Sequence, residues 1–340
     1  MSNAEAVVIV GAGPIGLACA ISAVRRGIDP LVLDAGSIAE SIARYPVGMT
    51  FFTTPDRLEI GNHPLVCSGA KATREEALMY YRGVARVERL RVRPFHRLVS
   101  GRRVGQGFEL EFDRVLRADR VSVRADRVVL ATGYFGHPNR LDVPGEDLPH
   151  VSHYPEEPHR LAGLDVVIVG AKNSAIELAL AAFRAGARVT VVHRREALKP
   201  SVKYWLRPDF ENRVKAGEIS VRWETVVRSI EPGLVRVEGP AGPAALGADR
   251  VFLLTGYHPD YELFRGLGVE IDPSTGRPTH DPATLETNVP GLHVAGSPTA
   301  GRFISEVFIE NGRFDGEKIF GDATSRSRAA SAGADRPVGE

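Results

Sequence analysis

One stretch of this 340-residue chain is written twice. Val7-Val8-Ile9-Val10 runs into Gly11-Ala12-Gly13-Pro14-Ile15-Gly16, and Val166-Val167-Ile168-Val169 runs into Gly170-Ala171-Lys172-Asn173-Ser174-Ala175. An apolar run of β-branched residues followed at once by glycines predicts a buried parallel strand that turns sharply into a helix. The spacing predicts an α/β fold of two Rossmann-like (three-layer ββα) domains, each able to hold a dinucleotide. Two such sites in one chain imply electron transfer between two cofactors.

In the first copy Gly11 permits the tight turn, Gly13 lets backbone approach a pyrophosphate, and Gly16 lets helix and strand pack closely. The turn Gly11, Gly13, Pro14, Ile15, Gly16 then leads into a helix over 15–26, whose free N–H groups face the phosphates. Pro30-Leu31-Val32-Leu33 predicts the second strand, ending in Asp34, an acceptor for a ribose hydroxyl. The same 18-residue offset that leads from Gly16 to Asp34 leads from Ala175 to His193, followed by Arg194 and Arg195. Arginines attract a 2′-phosphate that a carboxylate would repel, so Gly170, Lys172, Asn173, Ser174, Ala175, His193, Arg194 and Arg195 are read as an NADPH site. Solvated charges opening a loop are the competing account of the arginines. Lys172 replaces the second glycine, so either it swings out to the phosphate or the nucleotide sits higher. Ser174 is read as capping the helix or contacting phosphate.

The chain returns to its first unit after each copy. Arg127-Val128-Val129-Leu130 predicts a strand ending in Ala131-Thr132-Gly133, small residues suited to lie against a cofactor, and Val251 to Tyr257 repeats the pattern. Asn288 to Gly296 predicts a short strand, followed by Ser297 and a helical pattern from Ile304 to Phe320. The resulting expectation is a discontinuous FAD domain over 1–155 and 258–321, an inserted NADPH domain over 160–257, prolines from Pro138 to Pro158 marking the crossing, and a disordered tail over 322–340.

Composition removes other classes. A formal charge of +1 gives no footprint for nucleic acid or an anionic membrane. Glycines at 11, 13 and 16 and Pro14 disfavour a signal peptide or membrane span over 7–24. Two cysteines, Cys19 and Cys67, cannot form a disulfide framework, so a cytoplasmic setting is expected. His150 and His153 lack partners at ligand spacing, so no metal site is expected.

Finer stretches carry a resemblance. The order of the two glycine units, Ala131-Thr132-Gly133 and Thr287-Asn288-Val289-Pro290-Gly291 is similar to that of thioredoxin-reductase-like flavoproteins, over residues 5 to about 320. Tyr45-Pro46, Thr50-Phe51-Phe52-Thr53-Thr54, Leu58-Glu59-Ile60-Gly61, Tyr80-Tyr81-Arg82, Gly133 to Asn139, Val143 to Asp147, Gly170 to Ala175, Thr255 to Asp260 and Phe308 to Arg313 resemble the bacillithiol disulfide reductase (YpdA) family. The resemblance implies an FAD enzyme that takes hydride from NADPH and reduces a low-molecular-weight disulfide such as bacillithiol disulfide, working as a homodimer in the cytoplasm. Thr50, Phe51 and Phe52 become candidates for the wall beside the flavin ring, with core aromatics as the alternative for the two phenylalanines.

Three departures bear on that activity. The stretches 163–257 and 37–55, where related enzymes keep a redox cysteine pair, contain no cysteine. The family's usual cysteine in the first glycine motif is Ile15 here, which cannot attack a disulfide. Cys19 lies one turn on, either a substitute thiol or a small residue packed on the sheet. A separate change concerns the flavin: Gly296 is followed by Ser297 where many relatives carry an acid, one that the YpdA family also lacks. Two other enzyme readings stay open. One is a ferredoxin or flavodoxin reductase docking through Arg82, Arg86, Arg89, Arg91 and Arg93. The other is a flavin monooxygenase, whose linker fingerprint is not met at Val143 to His150. A non-enzymatic sensor of NADPH is the last alternative.

Overall fold

Both copies of the repeated apolar run fold as buried parallel strands. In the computed structural model, which describes residues 4–200, 202–303 and 306–333, the first copy is β1 (Glu5–Val10). It lies between β2 (Leu31–Leu33) and the long β6 (Asp119–Leu130), both parallel to it. With β3 (Arg91–Arg93), β4 (His96–Val104) and β5 (Gly107–Arg114) the sheet order is β3-β2-β1-β6-β5-β4, and the returning strand Leu292–Val294 pairs with the end of β6. Side chains alternate across a strand, so Val7 and Ile9 enter the core holding Leu17, Cys19, Ile21 and Tyr81. Val8 and Val10 enter the opposite core with Leu31, Leu33, Phe112 and Leu292. Burial on both faces is why the run reads as continuous rather than alternating.

The second copy repeats the plan. β7 (Val151–Ser152), β8 (Asp165–Val169), β9 (Arg188–Val192), β10 (Ile219–Arg222) and β14 (Arg250–Leu253) form a parallel sheet in the order β10-β9-β8-β14-β7. Val166 and Ile168 pack with the helix Asn173–Arg184. Val167 and Val169 pack on the other side with Val235 and Val237. Those two belong to an antiparallel ribbon of β11 (Val226–Glu231), β12 (Gly233–Gly239) and β13 (Gly242–Ala248).

The described residues divide into two compact units, one within Met1–His137 and Tyr257–Val338, the other within Pro138–Gly256. The boundary falls earlier than residue 155, where the sequence suggested it. Between the prolines of the supposed linker, Leu141, Val143, Leu148 and Val151 are apolar and pack on the second unit's core. Buried Glu146 gathers the same loop by accepting from the N–H groups of Leu141 and Asp142 at 2.9 and 2.8 Å.

Two further expectations change at the C-terminal end. The helical pattern begun at Ile304, a residue outside those described, is two short helices, Ile309–Gly312 and Asp315–Phe320. Glycine lets both helices pack closely on residues 15–19. A Cβ on Gly312 would lie 2.5 Å from Ile15 Cδ1, and one on Gly316 would lie 2.8 Å from Cys19 Cα. The tail expected to be disordered from 322 forms a helix over Ala323–Gly333, which buries Ala329. The Ser325 N–H donates to Asp322 at 2.7 Å at its start, and Arg326 Nε donates to the Lys318 carbonyl at 2.9 Å. The rest of that tail lies outside the described residues.

Candidate functional site

The three glycines of the first turn do different work. Gly11 sits at φ +113°, and a Cβ there would overlap the Ala131 carbonyl oxygen; a Cβ on Gly16 would overlap the carbonyl of Gly11. Those two are required by the chain's own packing. Gly13, at φ −72°, has ordinary backbone, and a Cβ on it would meet nothing within 4 Å. Neither torsion nor packing calls for glycine at 13, so the space above it is a cradle open to a ligand. Pro14 opens the helix Pro14–Val24, and no side chain caps it, which leaves first-turn N–H groups for an anion.

Thr132, beside Ala131 and Gly133 (φ +67°), has a buried hydroxyl without a hydrogen-bond partner. An orphaned hydroxyl next to an open glycine cradle fits a bound group. Asp34 is more occupied than expected of a ribose acceptor. One carboxylate oxygen accepts from Ala12 N at 2.6 Å and the other from Gly36 N at 2.7 Å. Burial raises its pKa, against the lowering by those two bonds. Its first task is to brace the turn.

Ile15 is wedged between two glycines. A Cβ at Gly296 (φ +74°) would lie 2.8 Å from its Cδ1, and Gly312 closes the other side. An acid braces Gly296 from elsewhere in the chain: Asp315, 4% exposed, accepts from Gly296 N at 2.8 Å and pairs with Lys318 at 3.3 Å. Ser297 is buried in the short turn Ser297–Ala300. Cys19 is fully buried, and burial, with Asp315 adding to it, pushes its thiol well above the usual range. It is the packed small residue of the two alternatives. Cys67 is partly exposed, its Sγ on the Gly69 carbonyl at 3.1 Å.

Of the proposed flavin wall, Phe51 is a core side chain, 6% exposed. Thr50 is exposed and bridges to Thr73, while Phe52 is half-buried with its ring edge-on to Phe308 at 6.2 Å. The aromatic group extends beyond what the sequence marks. Tyr45 meets Phe51 at 6.2 Å and Phe135 at 5.6 Å, and Phe135 meets Tyr257 at 4.5 Å. Burial, then Tyr134, Glu310 and Tyr257, hold the Tyr45 phenol above its usual range. Glu310, within the stretch Phe308 to Arg313, and Asp315 are buried acids that no spacing in the sequence singles out.

The second turn keeps the first glycine's contact and alters the rest. Gly170, at φ +127°, would overlap the Leu254 carbonyl if it carried a Cβ, as Gly11 would overlap Ala131. Ala175 replaces Gly16 and is buried. Lys172 is the helix N-cap residue in extended conformation, with no side-chain cap, and Ser174 is exposed. Asn173 Oδ1 accepts from Lys203 N at 2.9 Å, which ties the loop after 199 to the helix start.

Burial, then Lys199, Arg194 and Arg195, lower the Lys172 pKa. The His193 pKa is lowered by burial and then by Arg194, Arg195 and Lys199, and its Nε2 is buried without a partner. Among the described residues no carboxylate pairs with Lys172, Arg194, Arg195 or Lys199. Cations gathered at a helix start without anions fit a polyphosphate. Lys199 was missed because its place in the loop follows no fixed offset from the glycines.

Comparison with known proteins follows this geometry. The family described as pyridine nucleotide-disulphide oxidoreductase matches residues 8–296. Bacilliredoxin reductase Bdr of Bacillus subtilis (strain 168) is 40% identical over 323 residues, covering 95% of this chain and 98% of that protein. The structure of bacillithiol disulfide reductase Bdr (YpdA) from Bacillus cereus is 39% identical, covering 96% of this chain and 100% of that one with a TM-score of 0.91. Its counterpart from Staphylococcus aureus is 36% identical, covering 97% and 99% with a TM-score of 0.88. This chain belongs to the Bdr (YpdA) family of pyridine nucleotide-disulphide oxidoreductases, enzymes that work with FAD and NADPH.

Proposed function

We propose that this oxidoreductase takes electrons from NADPH at the second glycine turn and delivers them, by way of FAD held at the first, to a low-molecular-weight disulfide such as bacillithiol disulfide. The observation that carries the electron source is the group of Lys172, Arg194, Arg195 and Lys199 without paired carboxylates. The acceptor is supported by the names of relatives that match nearly the whole chain.

In this reading Gly13, Pro14, Ile15 and the first turn of Pro14–Val24 receive the FAD pyrophosphate, Asp34 the ribose, Thr132 the open polar position, and Thr50 and Phe52 the ring edge. Gly11 and Gly16 shape that turn, as Gly170 and Ala175 shape the other. Ala131, Gly133, Gly296 and Ser297 supply small backbone surface. Lys172, Asn173 and Ser174 receive the NADPH pyrophosphate, and His193, Arg194 and Arg195 the 2′-phosphate, with Lys199 added. When bound, FAD supplies the two-electron carrier between nicotinamide and acceptor. The protein holds the reactants in contact and excludes water. With Cys19 sealed in the core and Ile15 at the turn, neither position offers a thiol to the path in this reading. The working form is taken to be a cytoplasmic homodimer, from the resemblance.

The test is an anaerobic rapid-mixing experiment. NADPH should bleach the flavin absorbance, and bacillithiol disulfide should then restore it. A flavin that stays reduced until oxygen or an iron–sulfur protein is added would sink the disulfide reading.

A further inference from the structure

Reduction of a disulfide by NADPH consumes a proton from outside the hydride. The S–S bond breaks with two electrons; one sulfur takes the proton that travels with the hydride, and the other leaves as a thiolate that needs a second one. We propose that Glu310, acting through the Thr53 hydroxyl, supplies that second proton, and that it is refilled from water. The proposal rests on the disulfide reading above.

The geometry brings the acid to the right neighbourhood within the first unit. Glu310 lies on the short helix Ile309–Gly312 and is 8% exposed. Thr53, which bonds its carboxyl group, belongs to the segment Thr50–Thr54 beside the ring edge. Phe308, two residues before Glu310, packs edge-on to Phe52; Gly312, two residues after it, presses on Ile15 in the glycine turn. Asp315 is the other buried acid nearby, but Gly296 N and Lys318 already engage it.

The groups facing Glu310 are Thr53 and Arg57 from the wall segment and the helix after it, Tyr45, Tyr81 from Arg74–Val87, and Arg313. Burial raises the Glu310 pKa, the largest influence, and the bonds from its own backbone N–H and the Thr53 hydroxyl, then the two arginines, moderate it. Arg313 is turned mainly to backbone, donating to the carbonyls of Asp56 at 2.5 Å and Glu59 at 3.0 Å. An acid of this kind keeps its proton further toward neutral pH than a surface glutamate does, and loses the ability to give it as pH rises.

The test compares acceptors on the NADPH-reduced holoenzyme. Bacillithiol disulfide and a benzoquinone each take two electrons and need a proton; ferricyanide takes one electron and needs none. Glu310→Gln should lower the ratio of quinone or disulfide turnover to ferricyanide turnover about tenfold or more, and should remove the fall of that ratio with rising pH. Thr53→Val should do the same, and Glu310→Asp should restore part of the ratio. In an infrared pH titration of the wild-type protein, a carboxyl band that Glu310→Gln lacks should persist to higher pH than the bands of surface glutamates. An unchanged ratio and pH profile in both Glu310→Gln and Thr53→Val, or a Glu310 band that titrates with the surface glutamates, would overturn the proposal. If disulfide reoxidises nothing while the quinone ratio still depends on Glu310, the substrate reading fails and the proton role stands. Should Glu310→Gln not fold, Thr53→Val carries the test.

Discussion

Arg194 and Arg195 stand beside Lys172 and Lys199 with no carboxylate among the described residues to balance them, which is the ground for proposing that the second turn selects its nucleotide by charge. A charge-assisted contact to phosphate is worth about 1.5–3 kcal/mol. Replacing both arginines by alanine should therefore raise the KM for NADPH at least about tenfold and leave that for NADH nearly unchanged. Steady-state kinetics with both nucleotides checks it, and equal losses would remove the 2′-phosphate assignment. These arginines were legible because β-sheet geometry fixes the distance from a glycine turn to the end of the next strand. Glu310 and Asp315 were not, because burial in a tertiary contact leaves no periodic mark on a sequence. Ile15 was legible only as a missing thiol. That it fills a slot between Gly296 and Gly312 depends on residues nearly three hundred positions away.

The helix Arg74–Val87 shows how much a short local pattern can decide at the scale of an element. Thr73 and Glu76 form a capping box: the Glu76 carboxylate accepts from Thr73 N at 2.8 Å, and the Thr73 hydroxyl accepts from Glu76 N at 3.2 Å. Bonds from the Thr73 and Ser68 N–H groups and hydroxyls draw the Glu76 pKa down from 4.5 to about 2. A carboxylate lowered on folding stabilises the native state above its unfolded pKa, and that contribution fades as pH falls from 4.5 toward about 2. Thr73→Ala should cost about 1 kcal/mol by chemical denaturation at neutral pH. Glu76→Gln should flatten part of the stability loss across that acid range; an unaltered profile would show that the box does not hold the helix. The box needs only residues three apart, whereas the packing of Ile309–Gly312 and Asp315–Phe320 through Gly312 and Gly316 depends on the distant first helix.

For the whole molecule, the repeat foretold the buried parallel strands at the centre of both sheets, since two-faced burial imposes an uninterrupted apolar run; the antiparallel β4 and β5 at the edge of the first sheet carry no such mark. The boundary was hidden, because prolines suggest a linker whatever Leu141, Val143 and Leu148 pack against. The second unit is continuous in sequence and has its own sheet and core, the requirements for independent folding. Residues 138–256 expressed alone should unfold cooperatively and bind NADP⁺ in preference to NAD⁺, as measured by calorimetry. A fragment that folds but binds neither nucleotide would show that the second turn is not sufficient as a site.

The contact shared by the two turns separates what builds a nucleotide fold from what chooses the nucleotide. Gly11 and Gly170 are held to glycine by the chain's own carbonyls at Ala131 and Leu254, whatever is bound. A glycine signature of this kind is therefore inherited as architecture. Under the proposed assignment the second copy can drift toward a new coenzyme at His193 to Arg195 without unmaking its fold, whereas Asp34 in the first also braces its own turn.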